Sequence, residues 1–318
     1  MQITLFVTSF ILSTILCFFY IETWKRFVSI KKTPTGYGFL ISIKLVILSY
    51  FFDIPTFSFS IYLTLLILSL IYWFDDLRSL SSLTRILIQF FSGVLICVIL
   101  IQNEGISLNF YLLILIIISG IINIFLTNVI NFYDGLDLNV STLIIIISLT
   151  ILYKIDFNPV YAFNWLIISG FVLGFVFFNI RPNNIFFGDS GCYIISFILN
   201  LLIIDAILKY NIDIIYLVIP LFLPIFDVLY VLIKRLKRKE YLLSRNYYHL
   251  YHVVNLKFNN KIYLFPQILN SILIYFLSTL FKKNDFYDLF FFILFALITT
   301  SIFYFTIKKF FIKNKNNE

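Results

Sequence analysis

Asp75 and Asp76 stand side by side at the end of an apolar run, and three more polar clusters follow in an otherwise greasy chain. The second is Asn128-Val-Ile-Asn131-Phe-Tyr-Asp134-Gly-Leu-Asp137. The third is Phe187-Gly188-Asp189-Ser190-Gly191, and the fourth is His249-Leu-Tyr-His252. Neighbouring carboxylates repel unless a cation lies between them, so such a pair can coordinate Mg²⁺ or keep one member as a general base. Successive helical residues diverge by about 100°, so the two acids need not share a ligand. The alternative is a solvated pair ending a helix, and it is weakened because carboxylates are unfavourable at a helix C-terminus.

Asn128, Asn131 and Asp134 recur at three-residue spacing near one helical face, and Asp137 continues the series. Amides and carboxylates together are hard oxygen donors, suited to Mg²⁺ and to ribose or sugar hydroxyls. A plain polar turn is the competing reading. Asp189, flanked by glycines, falls at a helix start where backbone amides bind anions and Ser190 can cap. Asp189 could itself be that cap. His249 and His252 share a face if their segment is helical, but a third transition-metal ligand is missing beside them. With Arg245 and the basic block 234–239 they suit phosphate better than a metal, or they are incidental in a solvated loop. Arg85 sits at interface depth, able to hold a lipid phosphate or to snorkel. Gln89 lies deeper on nearly the same face and needs a polar partner.

The elements carrying these groups are membrane spans. Of the 318 residues 61% are hydrophobic and 13% charged, with mean hydropathy +0.99. No ordinary water-soluble domain has this composition. Apolar runs predict spans near 2–21, 39–53, 57–74, 86–101, 110–127, 141–153, 161–178, 192–208, 214–233, 266–281 and 287–307. The expectation is an all-α polytopic bundle of 10–11 helices forming a single domain over 1–318. Residues 1–21 lack a basic start and a small-residue cleavage site, so they read as a retained span. The spans 39–53 and 141–153 are short.

An odd number of spans puts the termini on opposite sides. One side then receives nearly all the lysines and arginines, and the other only Lys154, Lys209, Lys282 and Lys283. The positive-inside rule assigns the basic side, with the C-terminus and all four polar clusters, to the cytoplasm of a plasma or inner membrane. Lys44 falls inside the second span and must face protein or snorkel. Cys17, Cys97 and Cys192 form no disulfide or zinc pattern. The basic residues occur in short juxtamembrane blocks, which argues against nucleic acid.

Lys31-Lys32-Thr33-Pro34-Thr35-Gly36-Tyr37-Gly38 makes the first loop on the basic side, where glycine lets backbone approach a ligand closely. Taken in order, these pieces resemble the polyprenyl-phosphate N-acetylhexosamine-1-phosphate transferase family, whose superfamily also holds phospho-MurNAc-pentapeptide translocase. Pro34-Thr35-Gly36-Tyr37-Gly38 resembles the family's Pro-Thr-x-x-Gly-Gly loop. Asp75-Asp76, followed by Leu80, Arg85 and Gln89, resembles its Asp-Asp motif. Asn128 to Asp137 matches Asn-x-x-Asn-x-x-Asp-Gly-x-Asp, and 187–191 matches Phe-Met-Gly-Asp-x-Gly with the Met replaced. The late His-x-His-His motif is reduced here to His249 and His252, with Arg245 out of register.

The resemblance implies transfer of a sugar-1-phosphate from a UDP-N-acetylhexosamine to polyprenyl phosphate. UMP would leave, and the product would start a lipid-linked cell-wall or O-antigen glycan. It implies Mg²⁺, with Mn²⁺ as substitute, held by Asn131 and Asp189. Asp75 would engage the acceptor, as a positioning group or as a base, Asp76 support the metal region, and Arg85 hold the lipid phosphate. Asp134 and Asp137, with Asn128, would face the donor's uridine or sugar, and Arg245, His249 and His252 its diphosphate or sugar. N-acetylglucosamine and 6-deoxy-N-acetylhexosamines remain open as donors, and the pentapeptide-bearing donor is the alternative within the superfamily. Membrane lipids are further partners, and a homodimer is compatible. The rival of another class is an ion-coupled secondary transporter, whose site would lie near the bilayer midplane.

Overall fold

The computed structural model describes residues 2–27, 34, 36–52, 57–78, 80–134, 138–154, 159–180, 185–210, 221–240, 249–250, 252, 264–280 and 286–313. Among them lie helices α1 (Gln2–Phe27), α2 (Leu40–Phe51, entered through a 3₁₀ turn Tyr37–Phe39), α3 (Phe59–Leu77), α4 (Ser82–Asn103) and α5 (Phe110–Tyr133). There follow α6 (Asn139–Lys154), α7 (Pro159–Asn179), α8 (Gly188–Tyr210), α9 (Phe222–Lys237), α10 (Leu264–Leu280) and α11 (Phe286–Lys313). Seven of these are long and apolar enough to cross a membrane, and shorter apolar helices run Tyr37–Phe51, Asn139–Thr150 and Gln267–Phe276. The chain is an all-α, multi-pass membrane bundle. Its compact units are Met1–Ile214 and Ile215–Glu318.

In the first unit α8 is the central helix, buried from Ser190 to Ala206 against α3, α4 and α5. It is apolar all round because every face meets protein, as a core helix must be. Lipid offers helices no hydrophobic drive to associate, so the contacts use small residues and hydrogen bonds. Ser9 and Ser13 of α1 donate to the Ile167 and Phe171 carbonyls of α7 at 2.6 and 2.7 Å. Between α4 and α5, Ser119 Oγ donates to the Gly93 carbonyl at 2.8 Å, and Asn123 Nδ2 to the Gln89 carbonyl at 2.7 Å. The Gln89 backbone carbonyl thus takes the Asn123 amide, whereas its buried side-chain Oε1 has no hydrogen-bond partner among the described residues, contrary to the expectation for that side chain. Lys44 faces protein: its Nζ donates to the Ser9 carbonyl at 2.9 Å and lies 4.6 Å from the Phe171 ring centre.

In the second unit α9 and α10 both pack on α11. Phe226 and Tyr230 of α9 meet Tyr304 and Phe305 of α11 at ring-centre distances of 5.2 to 6.1 Å. The basic end of α9, Lys234, Arg235 and Lys237, complements the helix dipole.

Candidate active site

The acids and the arginine of the first unit meet at one end of the bundle, where α3 and α5 finish and α4 and α8 begin. Asp75 is 2% exposed. Its Oδ1 accepts the Leu80 N–H at 2.6 Å and Arg85 Nη2–H at 3.0 Å, and Arg85 Nε lies 2.9 Å from its Oδ2. The other side of the same guanidinium, Nη1, stands 3.4 Å from Asp189 Oδ2. Arg85 thus bridges a buried carboxylate and a half-buried one, and its depth is fixed by Asp75.

Helix α8 starts with amides that no helical carbonyl can reach. Two carboxylates brought from elsewhere satisfy them. Asp76 Oδ2 accepts Ser190 N–H at 3.2 Å and Ser190 Oγ–H at 2.5 Å. Asp134, which closes α5, accepts Gly188 N–H at 3.0 Å. Each such cap is worth about 1 kcal/mol, and the positive helix end moderates the gathering of acids. Burial pushes the Asp134 carboxyl up to about 8, backbone N–H bonds from Gly188 and Phe187 oppose the shift, and Asp189 adds to it. A raised folded value means that this group's contribution to stability is full below about 4 and is lost as pH rises through about 8.

With the capping done by Asp76 and Asp134, the Asp189 side chain is 35% exposed and turned toward Arg85. Asn131 is half-buried one turn before Asp134. Asn128 bonds back to the Ile124 carbonyl of its own helix at 2.7 Å. Asp137 and Arg245 lie outside the described residues.

The loop at Pro34 and 36–38 docks on this helix start by backbone. Phe186 N–H donates to the Pro34 carbonyl at 3.1 Å and Gly38 N–H to the Phe187 carbonyl at 3.5 Å. Gly36 and Gly188 have φ of 84° and 72°, the left-handed region. A Cβ on Gly36 would stand 2.8 Å from Asp76 Oδ2, and one on Gly38 would overlap the Gly191 backbone. Gly38→Ala is therefore expected to separate loop from helix and cost about 3 kcal/mol. Thermal unfolding in detergent should show a lower midpoint than for Gly105→Ala, whose Cβ meets nothing within 4 Å and whose φ of 64° costs only about 1 kcal/mol. Equal midpoints would contradict the docking.

Two positioning residues had only a faint trace in the sequence. Asn179 accepts Leu138 N–H and donates to the Ile185 carbonyl, both at 2.6 Å, and so ties the segment after Asp134 to the one before Asp189. A buried amide at a helix end was its one signal. Tyr37 stacks on Phe171 and Phe175 at 5.2 and 5.4 Å and donates to the Ser13 carbonyl at 3.0 Å, anchoring the docked loop.

The histidines belong to the second unit. His249 is buried with Nδ1 3.0 Å from Asp227 Oδ2, and the His249 and His252 rings lie 6.4 Å apart. Burial holds His252 down to about 4, with His249 adding and Asp227 opposing, so that ring is neutral at physiological pH.

Residues 58–207 match the family described as Glycosyl transferase family 4. That segment, a little under half of the chain, is what resembles the family. All the acids of the first unit's site, Arg85 and the asparagine series fall inside it, whereas the docked loop and the histidines fall outside. A relative from Bacillus subtilis (strain 168), named a probable undecaprenyl-phosphate N-acetylglucosaminyl 1-phosphate transferase, is 28% identical over 199 residues. That stretch is 56% of this chain and 52% of the relative. A Methanocaldococcus jannaschii protein whose name proposes a glycosyltransferase is 33% identical over 118 residues, 37% of this chain and 38% of its own. The chain thus spans about half the length of the first relative and less of the second. The site's acids and Arg85 thus lie within the segment that resembles Glycosyl transferase family 4.

Proposed function

We propose that the chain transfers a sugar-1-phosphate from a UDP-N-acetylhexosamine to polyprenyl phosphate at the cytoplasmic face of the membrane. The observation that carries the reading is the Asp75–Arg85–Asp189 bridge at the bundle end. There a cation stands between a buried acid that holds it and a more accessible acid, at the end of the apolar spans. In the reaction an acceptor phosphate oxygen forms a bond to the donor's β-phosphorus. The bond from that phosphorus to the bridging oxygen breaks, and UMP leaves with the oxygen.

The residues' parts follow from their surroundings. Arg85 engages the lipid phosphate and lowers its repulsion for the donor. Asp75 positions Arg85, since its carboxylate is buried beneath the guanidinium, and a phosphomonoester with second pKa about 6 needs no base at neutral pH. Asp76, Asp134 and Ser190 hold the start of α8 so that Asp189 faces the reacting groups.

A divalent cation suits this donor set in one form only. Among the described residues no three His, Cys, Asp or Glu side chains converge as a cage. Mg²⁺ binds through one or two protein oxygens when phosphates and waters complete its octahedron, and Asp189 with Asn131 meets that need. When bound it would supply positive charge to the donor diphosphate.

N-acetylglucosamine is the donor sugar we favour, on the name of the Bacillus subtilis relative. The acids of the Asp75–Arg85–Asp189 site lie at helix ends rather than at mid-span, which favours transfer over ion-coupled transport. Purified protein should release UMP from UDP-N-acetylglucosamine only when undecaprenyl phosphate is present. Absence of release with every UDP-amino sugar tried, alongside ion-driven uptake by proteoliposomes, would overturn the reading.

A further inference from the structure

Asp227 is fully buried in α9, and three donors converge on it. Tyr304 Oη–H, from α11, reaches Oδ1 at 2.8 Å, Leu250 N–H reaches the same oxygen at 2.9 Å, and His249 Nδ1 lies 3.0 Å from Oδ2. Lys308 Nζ donates to Tyr304 Oη at 3.0 Å and sits 4.2 Å from the Tyr230 ring centre. A carboxylate offers only acceptors, so the proton in the His249 contact sits on Nδ1. The hydrogen bond at one imidazole nitrogen fixes what the other can do. Here it places the imidazole's lone pair on Nε2. Asp227 also pins the histidine's backbone through Leu250, so ring and main chain are set by one side chain.

We infer that Asp227, braced by Tyr304 and Lys308 of α11, is a positioning residue that sets the tautomer and orientation of His249 so that its Nε2 accepts a hydrogen bond from a hydroxyl of the nucleotide-sugar substrate. This rests on the transfer reading for what His249 contacts, but not for the tautomer. It assigns a functional part to the C-terminal helix, which lies beyond the 58–207 family segment.

Asp227→Asn is the discriminating change. One amide oxygen can keep Leu250 and Tyr304, and the NH₂ group then faces His249 Nδ1, which must give up its proton. The ring is expected to invert to the Nε2–H form, and transfer should fall by on the order of 100-fold. Tyr304→Phe removes one brace and keeps the charge, with an expected fall of about tenfold or less.

Two measurements test this. The chain has two histidines, so His252→Gln, purified through a tag free of histidine, leaves His249 as the one imidazole for ¹⁵N NMR. Nδ1 should carry a proton throughout, and Asp227→Asn in the same background should move the lone pair to Nδ1. A ring found as Nε2–H before the change, or unaltered by it, overturns the inference. The second is a double-mutant cycle on UMP release from UDP-N-acetylglucosamine. Asp227→Asn should cost less than about threefold in a His249→Gln background, and independent, additive losses would show a merely structural role. If the unaltered chain turns over no UDP-sugar, the transfer reading fails, and the tautomer result alone decides on Asp227.

Discussion

Asp189→Ala is expected to lower UMP release by on the order of 10³-fold while leaving the folded bundle intact. Both halves of this expectation come from the same geometry. The amides of Gly188 and Ser190 are satisfied by Asp134 and Asp76, so removing the Asp189 carboxylate leaves those two caps in place. What it removes is the accessible acid facing Arg85 and the best oxygen for a divalent cation. Asp76→Ala provides the contrast, since it strips two hydrogen bonds from Ser190 and should lower the melting midpoint as well as the rate. Rates and midpoints of the two variants, measured side by side in detergent, separate the roles. An active Asp189→Ala protein, or one that melts like Asp76→Ala, would be incompatible with this division of labour.

Asp75→Asn and Arg85→Ala should each cost about 100-fold, because a displaced phosphate-binding group loses rate steeply with small errors in position. The double variant should cost little more than either alone. Asp75 is buried beneath the guanidinium and holds it at 2.9 to 3.0 Å, so without Arg85 it has nothing left to position. A general base would behave otherwise: Asp75→Asn would remove one limb of the pH–rate profile and would cost as much again in the Arg85→Ala background. Additive losses with a lost limb would replace positioning by base catalysis.

The spans were legible because an apolar run long enough to cross a bilayer has few other uses. The short runs at 39–53 and 141–153 appear as the short apolar helices Tyr37–Phe51 and Asn139–Thr150. The polar clusters stood out because charge is costly in such a chain. How they share the work could not be read, since each decisive partner is remote. Asp76 meets Ser190 across 114 positions, Asp134 meets Gly188 across 54, and Tyr304 meets Asp227 across 77. Adjacent in sequence, Asp75 and Asp76 diverge around the helix, one to Arg85 and the other to α8. Asp227 gave no motif at all: a single acid in an apolar run acquires meaning only when two other segments fold onto it.

The most direct test follows the β-phosphate. Purified chain in lipid nanodiscs containing undecaprenyl phosphate is given Mg²⁺ and UDP-N-acetylglucosamine labelled with ³²P at the β position, and the organic and aqueous phases are counted. The label is predicted to enter the lipid with one UMP released per phosphate transferred, with no transfer when excess EDTA is present. Label that remains in water as UDP while the sugar moves to lipid would show ordinary glycosyl transfer and contradict sugar-1-phosphate transfer.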